Sequence, residues 1–448
     1  MRALVEEIDD DEDVGIVERV AAIDVAKATG MVCTRVPHPT IAGRRTTKVW
    51  EVSSTTNAII VLGDQLVEAG VERVVVESTS DYWRPFVYLL QAAGLTVWLV
   101  NARDVKQVPG RPKTDKIDSV WLAKLNERGM LRASFVPPVE IRQLRDYTRL
   151  RLDLTEERSR HKQRVEKLLE DALIKLSVVV SDIFGVSGRA MIEALITGER
   201  DPIVLARMAK GRMRPKHDAL VEALTGRFDS HHAELARILL DQIDTLTDKI
   251  ETITARVDQL IATIPAAAPP DSDDETGCDG DPATIPLSAV ERLDEIAGIG
   301  VHAAQVIIAE VGLDMTQFPT AGHLVSWAKL SPRTIQSGPK TRSGKTGKGN
   351  RYLKGVLGEA AVGAARTDTF LGERYRRLVR RRGKGKALVA VARSILVIVW
   401  HLLNDPNARY HDLGSDFYDQ HDRKDHKTRN LVRQLQALGH HVTIAPAA

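Results

Sequence analysis

The sequence predicts an α/β domain at its N-terminal end, a helical segment with a coiled-coil seam in the middle, and a mostly α-helical domain with a helix-hairpin-helix-like element at its C-terminal end. Three observations carry this reading. Short apolar runs alternate with helical patterns before residue 138. From Val139 to Ile264 no strand pattern competes with helix. A Pro-, Asp- and Gly-rich run, Pro265 to Thr284, then divides the chain, with little in it to bury.

Each element can be justified in order. "RVAAIDVAK" reads as a first strand ending near Asp24. "GMVCTRVPH" and "TTKVWEVSS" are two more, joined by "PTIAGRR". A helix over Thr56 to Ala69, the buried strand "RVVVEST", a helix around Tyr82 to Ala93 and the strand "LTVWLVN" follow, and then the helix inside "KTDKIDSVWLAKL". Three early strands and then alternation imply a mixed sheet flanked by helices. In the helical segment Leu239, Ile243, Leu246, Ile250, Ile253, Val257, Leu260 and Ile264 step by fours and threes, a heptad seam that Pro265 ends. Beyond the linker, "LDEIAGIGVHAAQVIIAEVG" places Gly298 and Gly300 in a tight turn between two apolar helices, where backbone amides can meet a phosphate. The expected organisation is an acidic leader (1–19), the α/β domain (20–138), the helical segment (139–264), the linker (265–286), the C-terminal domain (287–404) and a polar tail (405–448).

The 448 residues allow two or three domains, and 43% hydrophobic residues suffice for real cores. The net charge of +3 hides segregation: Met1–Asp13 and Asp271–Asp281 are acidic, while cations concentrate late. That distribution points to a local polyanion site rather than a uniformly cationic protein. Cys33 and Cys278 form neither a zinc spacing nor a disulfide framework, which fits a reducing cytoplasm. The acidic N-terminus is unlike a signal peptide. Arg393 and His401 interrupt the apolar run Ala387–Leu403, so we expect a buried helix and no membrane partner.

The chemistry is expected at the ends of the early strands. Asp24 and Glu77 each close a strand, and Asp115 and Asp118 lie three residues apart on one helix face. Singly, such acids are commonplace: Asp24 suits a turn cap, Glu77 a partner for Arg84, and Asp115 and Asp118 a helix N-terminus. Together they make an oxygen-rich cluster whose natural counter-ion is Mg²⁺ or Mn²⁺, and two such ions would clamp a phosphodiester. Later, Lys340, Arg342, Lys345, Lys348, Arg351 and Lys354 fall in a glycine-rich stretch without an acid, suited to a nucleic-acid backbone. A second run, Arg374 to Lys386, adds Arg376, Arg377, Arg380 and Arg381. A flexible charged surface is the plainer reading of both runs. The helix Glu156–Lys175 carries Arg158, Arg160, Lys162, Arg164 and Lys167, which read first as a solvated face. Ser337 precedes Gly338, which by itself is a turn.

The ordered blocks "AAIDVAK", "VVVESTSDYW" and "KTDKIDSVWLAKL", followed by "LDEIAGIGVHAAQVIIAEVG" and "LVSWAKLSPRTIQSGPKTRSGKTGKGNRYLK", resemble the IS110-family transposases, which are DEDD recombinases. The resemblance runs from about Ala21 to Leu403 and leaves out the leader and the tail. It implies a RuvC-like, RNase H-type fold for the first domain, with Asp24, Glu77, Asp115 and Asp118 as a metal-binding tetrad. It implies Ser337 as a nucleophile forming a 5′-phosphoserine-type link to DNA. It further implies donor and target DNA and a structured noncoding bridge RNA as partners, and a homo-oligomer, dimer or tetramer, assembled through the helical segment. The expected setting is the bacterial cytoplasm, at the nucleoid. Two other functions fit the residues: a RuvC-type nuclease acting on branched DNA by water attack, and a non-catalytic nucleic-acid scaffold.

Overall fold

A computed structural model describes residues 17–78, 80–101, 114–269, 286–332, 334–338, 340–418 and 424–443. Most of the acidic leader and of the acidic linker, Cys278 included, lies outside the described residues, as do the side chains of Ser337 and Lys340. The chain forms two compact units that meet in sequence at Val136 and Pro137.

The first unit contains β1 (Val20–Val25), β2 (Thr29–Pro37), β3 (Arg45–Ser53), α1 (Thr56–Glu68), β4 (Arg73–Ser78), α2 (Trp83–Ala92), β5 (Val97–Val100) and α3 (Asp115–Glu127). The sheet order is β3-β2-β1-β4-β5. β1 pairs antiparallel with β2 and parallel with β4, and β4 pairs parallel with β5. β1 is central and covered on both faces, which is why "VAAIDV" is nearly continuously apolar. Ala21, Ile23, Val74 and Val76 pack against Ile59 and Leu62 of α1 and Phe86 and Leu90 of α2. Ala22, Val75 and Val100 point the other way, to Leu122, Ala123 and Leu125 of α3. Cys33 lies in this second layer, and burial pushes its thiol up to about 11, so it is an inert packing group.

One polar clamp fixes α3 on the sheet. Asn126 is fully buried and donates to the carbonyls of Ala21 (3.1 Å) and Arg73 (3.2 Å). Its side-chain oxygen accepts from Arg73 Nε (2.7 Å), and its backbone oxygen from Arg73 Nη2 (2.6 Å). The Arg73 guanidinium also lies 4.1 Å from the Trp98 ring centre. Burial lowers the Arg73 pKa.

The second unit is built on two antiparallel helices of 33 residues each, α4 (Val139–Asp171) and α9 (Ser230–Ala262), each about 50 Å long. Between them come α5 (Leu176–Val179), α6 (Val186–Thr197), α7 (Pro202–Arg207) and α8 (His217–Leu224). One core joins these to Val165 and Leu169 of α4 and Ala236, Leu240 and Ile243 of α9. A second core takes the opposite ends of the pair, Ile141, Leu144 and Val257, and packs them with α10 (Ala289–Asp294), α11 (Val301–Val311), α12 (Ala321–Trp327), α13 (Arg351–Ala364), α14 (Phe370–Arg382) and α15 (Lys384–Asn404). α16 (Lys424–Ala437) follows. The heptad seam is therefore used within the chain, against α4 and the two cores. α15 is long and apolar enough to cross a membrane, but its face of Val391, Ile395, Val399 and Leu402 lies in the second core.

Two local expectations need correction. The stretch read as a basic loop contains a hairpin, β6 (Thr334–Ser337) and β7 (Lys340–Ser343), with Ser337 paired to Lys340. Gly338, at φ 58°, opens a two-residue connection that the β-branched Thr334, Ile335 and Thr341 flank. At the Gly298 turn the glycine serves packing: a Cβ there would stand 2.2 Å from the Ala360 oxygen and 2.7 Å from the Ala364 nitrogen of α13. Gly300, the N-cap of α11, is exposed, and a Cβ there would meet Asp294 Oδ1 at an ordinary 3.9 Å.

Asn126→Leu takes the acceptor from the buried Arg73 Nε and the amide donor from the Ala21 and Arg73 carbonyls, so chemical denaturation is expected to show a loss of about 3 kcal/mol; a loss below about 0.5 kcal/mol would remove the clamp from the account. Val257→Glu places an unpaired charge at a fully buried seam position and is expected to lower the melting temperature at every protein concentration. Unchanged melting, or melting that recovers as concentration rises, would show that the seam is filled by another chain.

Candidate active site and nucleic-acid surfaces

β1 and β4 are parallel and in register, with Asp24 directly opposite Glu77. Neighbouring strands lie about 4.8 Å apart, so two carboxylates from adjacent strands share one edge of the sheet. Side chains alternate, so Asp24 lies on the face of Ala22 and Glu77 on the face of Val75, the side that α3 covers. Asp24 is half-buried and Glu77 is buried.

The clamp sets the height of α3. Its C-terminal end, at Asn126, bonds the beginnings of β1 and β4, so the helix runs antiparallel to them. Leu122 packs in the layer of Ala22 and Val75. One helical turn earlier, about 6 Å, comes Asp118, while Asp24 and Glu77 stand two strand residues further on, about 6.7 Å. On this spacing α3 carries Asp118 toward the strand ends that bear Asp24 and Glu77. Asp115 is one position inside the Thr114 cap, about 4.5 Å further out, and exposed. Thr114 accepts from the Ile117 amide (3.3 Å), which starts the helix at this point. Arg84, a possible partner for Glu77 from sequence, pairs with Asp81 instead (3.4 Å).

The donor set is all oxygen, which fits a hard divalent cation and not a thiolate- or imidazole-loving one. The four carboxylates are not drawn into a tight triad. Among the described residues, the group of three potential ligand atoms within 4.8 Å of one another is Asp171, His231 and His232. That group serves the helix instead. His232 Nδ1 accepts from the Asp229 amide (3.1 Å) in a capping box, so the ring proton sits on Nε2, facing Asp171 Oδ2 at 3.1 Å. A metal at Nε2 would need that nitrogen free of its proton while Nδ1 is already occupied.

The cations sort into two kinds. Arg342, Lys345, Lys348, Arg380 and Arg381 are exposed. Others are held by the fold. Lys354 donates to the Gly347 oxygen (2.8 Å), and Arg351 pairs with Asp153 (2.9 Å). Arg376 binds Glu373 (2.8 Å), Asp368 (3.3 Å) and the Thr367 carbonyl (3.2 Å), so it braces the start of α14. Arg377 lies over the Tyr418 ring at 4.2 Å. Gly300 and Arg351 line a cavity of about 630 Å³ together with Arg151 and Arg158 of α4.

Sequence reasoning missed the support beneath the hairpin. Glu310 of α11 is fully buried and accepts from both guanidinium nitrogens of Arg149 (2.7 and 2.8 Å), with Arg145 at 3.4 Å. It also accepts from Asn350, whose Oδ1 caps α13. Burial alone would lower the Arg149 pKa, but the bond to Glu310 overrides it and raises it. The end of the basic stretch is thereby tied to α4 and α11. Nothing in the apolar context of Glu310 announces this.

Residues 21–174 match the DEDD model of the IS110 type, described as a transposase, and residues 290–376 match the model described as the transposase IS116/IS110/IS902 family. The chain is also 37% identical over 123 residues to the insertion element IS110 uncharacterized 43.6 kDa protein of Streptomyces coelicolor; the match covers 27% of this chain and 29% of that protein. The sheet with its carboxylate edge is consistent with the RuvC-like fold of the first match, and the helical unit carries the second. The two matches stand in the family's order and together span more than half of the chain, which belongs to the IS110 family of transposases.

Proposed function

We propose that this protein is a transposase that cuts and rejoins donor and target DNA, with Asp24, Glu77, Asp115 and Asp118 holding Mg²⁺ or Mn²⁺ and Ser337 as nucleophile. The observation that carries the reading is the in-register Asp24–Glu77 pair on the sheet face that α3 covers, on a chain of this family. Bound there, the cation supplies positive charge to the non-bridging oxygens of the scissile phosphate. Asp24 and Glu77, fixed by the central strands, orient that charge, and Asp115 and Asp118 come to it from a helix whose height the Asn126 clamp sets.

The nucleophile would stand at a hairpin turn, away from the helical core. In cleavage the Ser337 proton leaves to a base, the Oγ–P bond forms, the P–O3′ bond breaks, and the 3′ oxygen takes up a proton. The phosphoserine ester conserves the bond energy, so a 3′-hydroxyl from another strand can reverse the step and rejoin DNA without an external energy source. The exposed Arg342, Lys345 and Lys348 suit phosphate contacts, which position a substrate but read no sequence. Sequence choice then falls to a pairing guide, the bridge RNA of the family. A homo-oligomer would use surfaces other than the seam positions of α9 that lie in the two cores; the cytoplasm is the setting that two cysteines without a disulfide framework suit.

Asp118→Asn and Asp115→Asn are expected to fold normally and to lower metal-dependent DNA cleavage by at least about a hundredfold, read on labelled DNA with added Mg²⁺. Wild-type cleavage by the folded double variant would take α3 out of the active site. Ser337→Ala should still bind DNA and RNA but give no recombinant product, and wild-type protein stalled on a nicked substrate should carry DNA on the peptide containing "TIQSGPK". Near-normal cleavage by Ser337→Ala without any adduct would instead establish the nuclease that uses water.

A further inference from the structure

The residues after α15 form a strap with a defined course. Arg409 Nε and the Tyr410 amide both donate to Glu295 (2.8 and 3.1 Å). Asp412 accepts from the Phe370 amide (3.1 Å) at the start of α14 and from the Tyr410 hydroxyl (3.1 Å). A carboxylate at this position is favoured by the helix dipole. The strap then lays Phe417 and Tyr418 on Phe370, with ring centres 5.1 and 5.5 Å away. Tyr418 in turn accepts from Arg374 Nη1 (2.9 Å) and lies under Arg377.

This arrangement closes one side of a cavity of about 480 Å³ lined by Arg374, Arg377, Arg380, Arg381, Glu373 and Tyr418. Among the described residues its lining holds four guanidiniums and one carboxylate; Arg377 is engaged by its own partners and Glu373 by Arg376. Among the described residues Arg374, Arg380 and Arg381 form no ion pair, and the buried Nε of Arg374 has no acceptor. Converging cations repel, and a buried donor without an acceptor is costly, so the cavity favours an anion rich in acceptor oxygens. Positions 374, 377 and 381 lie on one helix face and span about 10 Å, the scale of a short run of phosphates.

We propose that the α14–strap cavity binds the sugar–phosphate backbone of single-stranded nucleic acid. A duplex is stiff and presents its phosphates on a convex surface, which a concavity of this size does not admit. A single strand bends into it and meets planar guanidiniums suited to bidentate phosphate contact. The inference rests on the reading of the chain as a nucleic-acid recombinase. It adds a site outside both family matches in all but Arg374 and Glu373, one that only the folded tail completes.

The test is fluorescence anisotropy of the full chain with short labelled single-stranded RNA, single-stranded DNA and the duplex of the same sequence. Arg380→Glu with Arg381→Glu is expected to weaken both single strands by about tenfold or more, to reduce their salt slope by about 1.4, and to change duplex binding less than about twofold. Arg382→Glu with Lys384→Glu, an equal charge change outside the cavity lining, is expected to have little effect. Unchanged single-strand binding in the first variant overturns the proposal, as does an equal loss on duplex or an equal loss in the second variant. Mg²⁺-dependent DNA cleavage is read on the same preparations. Wild-type protein that never cleaves but loses single strands through Arg380 and Arg381 would sink the recombinase reading and leave the cavity; normal cleavage with unchanged binding would do the reverse.

Discussion

A buried amide sets the geometry of the carboxylate edge. Asn126 joins carbonyls at the beginnings of β1 and β4 to the end of α3, and Arg73 donates back to its side-chain oxygen. A helix lying on a sheet can slide along its axis with little change in apolar contact, because leucines and alanines are not particular about register. Directional hydrogen bonds are. With the helix held at Asn126, the four-residue steps to Leu122 and Asp118 run toward the strand ends that carry Asp24 and Glu77. An interaction at one end of the strands thus decides what stands at the other.

In the second unit the long pair α4–α9 plays the corresponding part. Each of its ends is embedded in a different apolar core. The pair spaces those cores, and its buried face is consumed in doing so. Polar links then tie particular loops to the frame. Glu310 gathers Arg145, Arg149 and Asn350, and so fixes the end of the basic stretch where α13 begins. Removing any one partner would leave charge or amide unmet inside a dry region, which makes such a cluster resistant to piecemeal change.

The cations of this chain divide by what compensates them. Arg73, Arg149 and Arg376 are spent on the fold, each with an acceptor near at hand. Arg342, Lys345, Lys348, Arg380 and Arg381 project into solvent, where a polyanion can reach them. Arginine serves both groups because its planar fork can hold two acceptors at once, on a protein or on a phosphate. A basic run in a sequence is therefore a mixture, and only partner geometry separates its members.

The sequence by itself determined the mixed sheet, the long helices and the acids at the strand ends. Each of these follows from local periodicity: period two for strands, 3.6 for helices, and a polar residue where an apolar run stops. The heptad of α9 was also legible, but not its partner, since a seam states that something covers it and not what. Only the tertiary structure decided that Asp24 stands opposite Glu77, because register between strands depends on residues far apart in the chain. It also decided that Gly298 stands too close to α13 for a side chain and that Arg376 bonds to Glu373, Asp368 and the Thr367 carbonyl. The hairpin carrying Ser337 was hidden by its own composition, whose charges and glycines resemble a loop although its β-branched residues pair. The strap over α14 was hidden in the same way: Arg409, Asp412 and Tyr418 are ordinary polar-tail residues until folding brings Glu295, Phe370 and Arg374 to them.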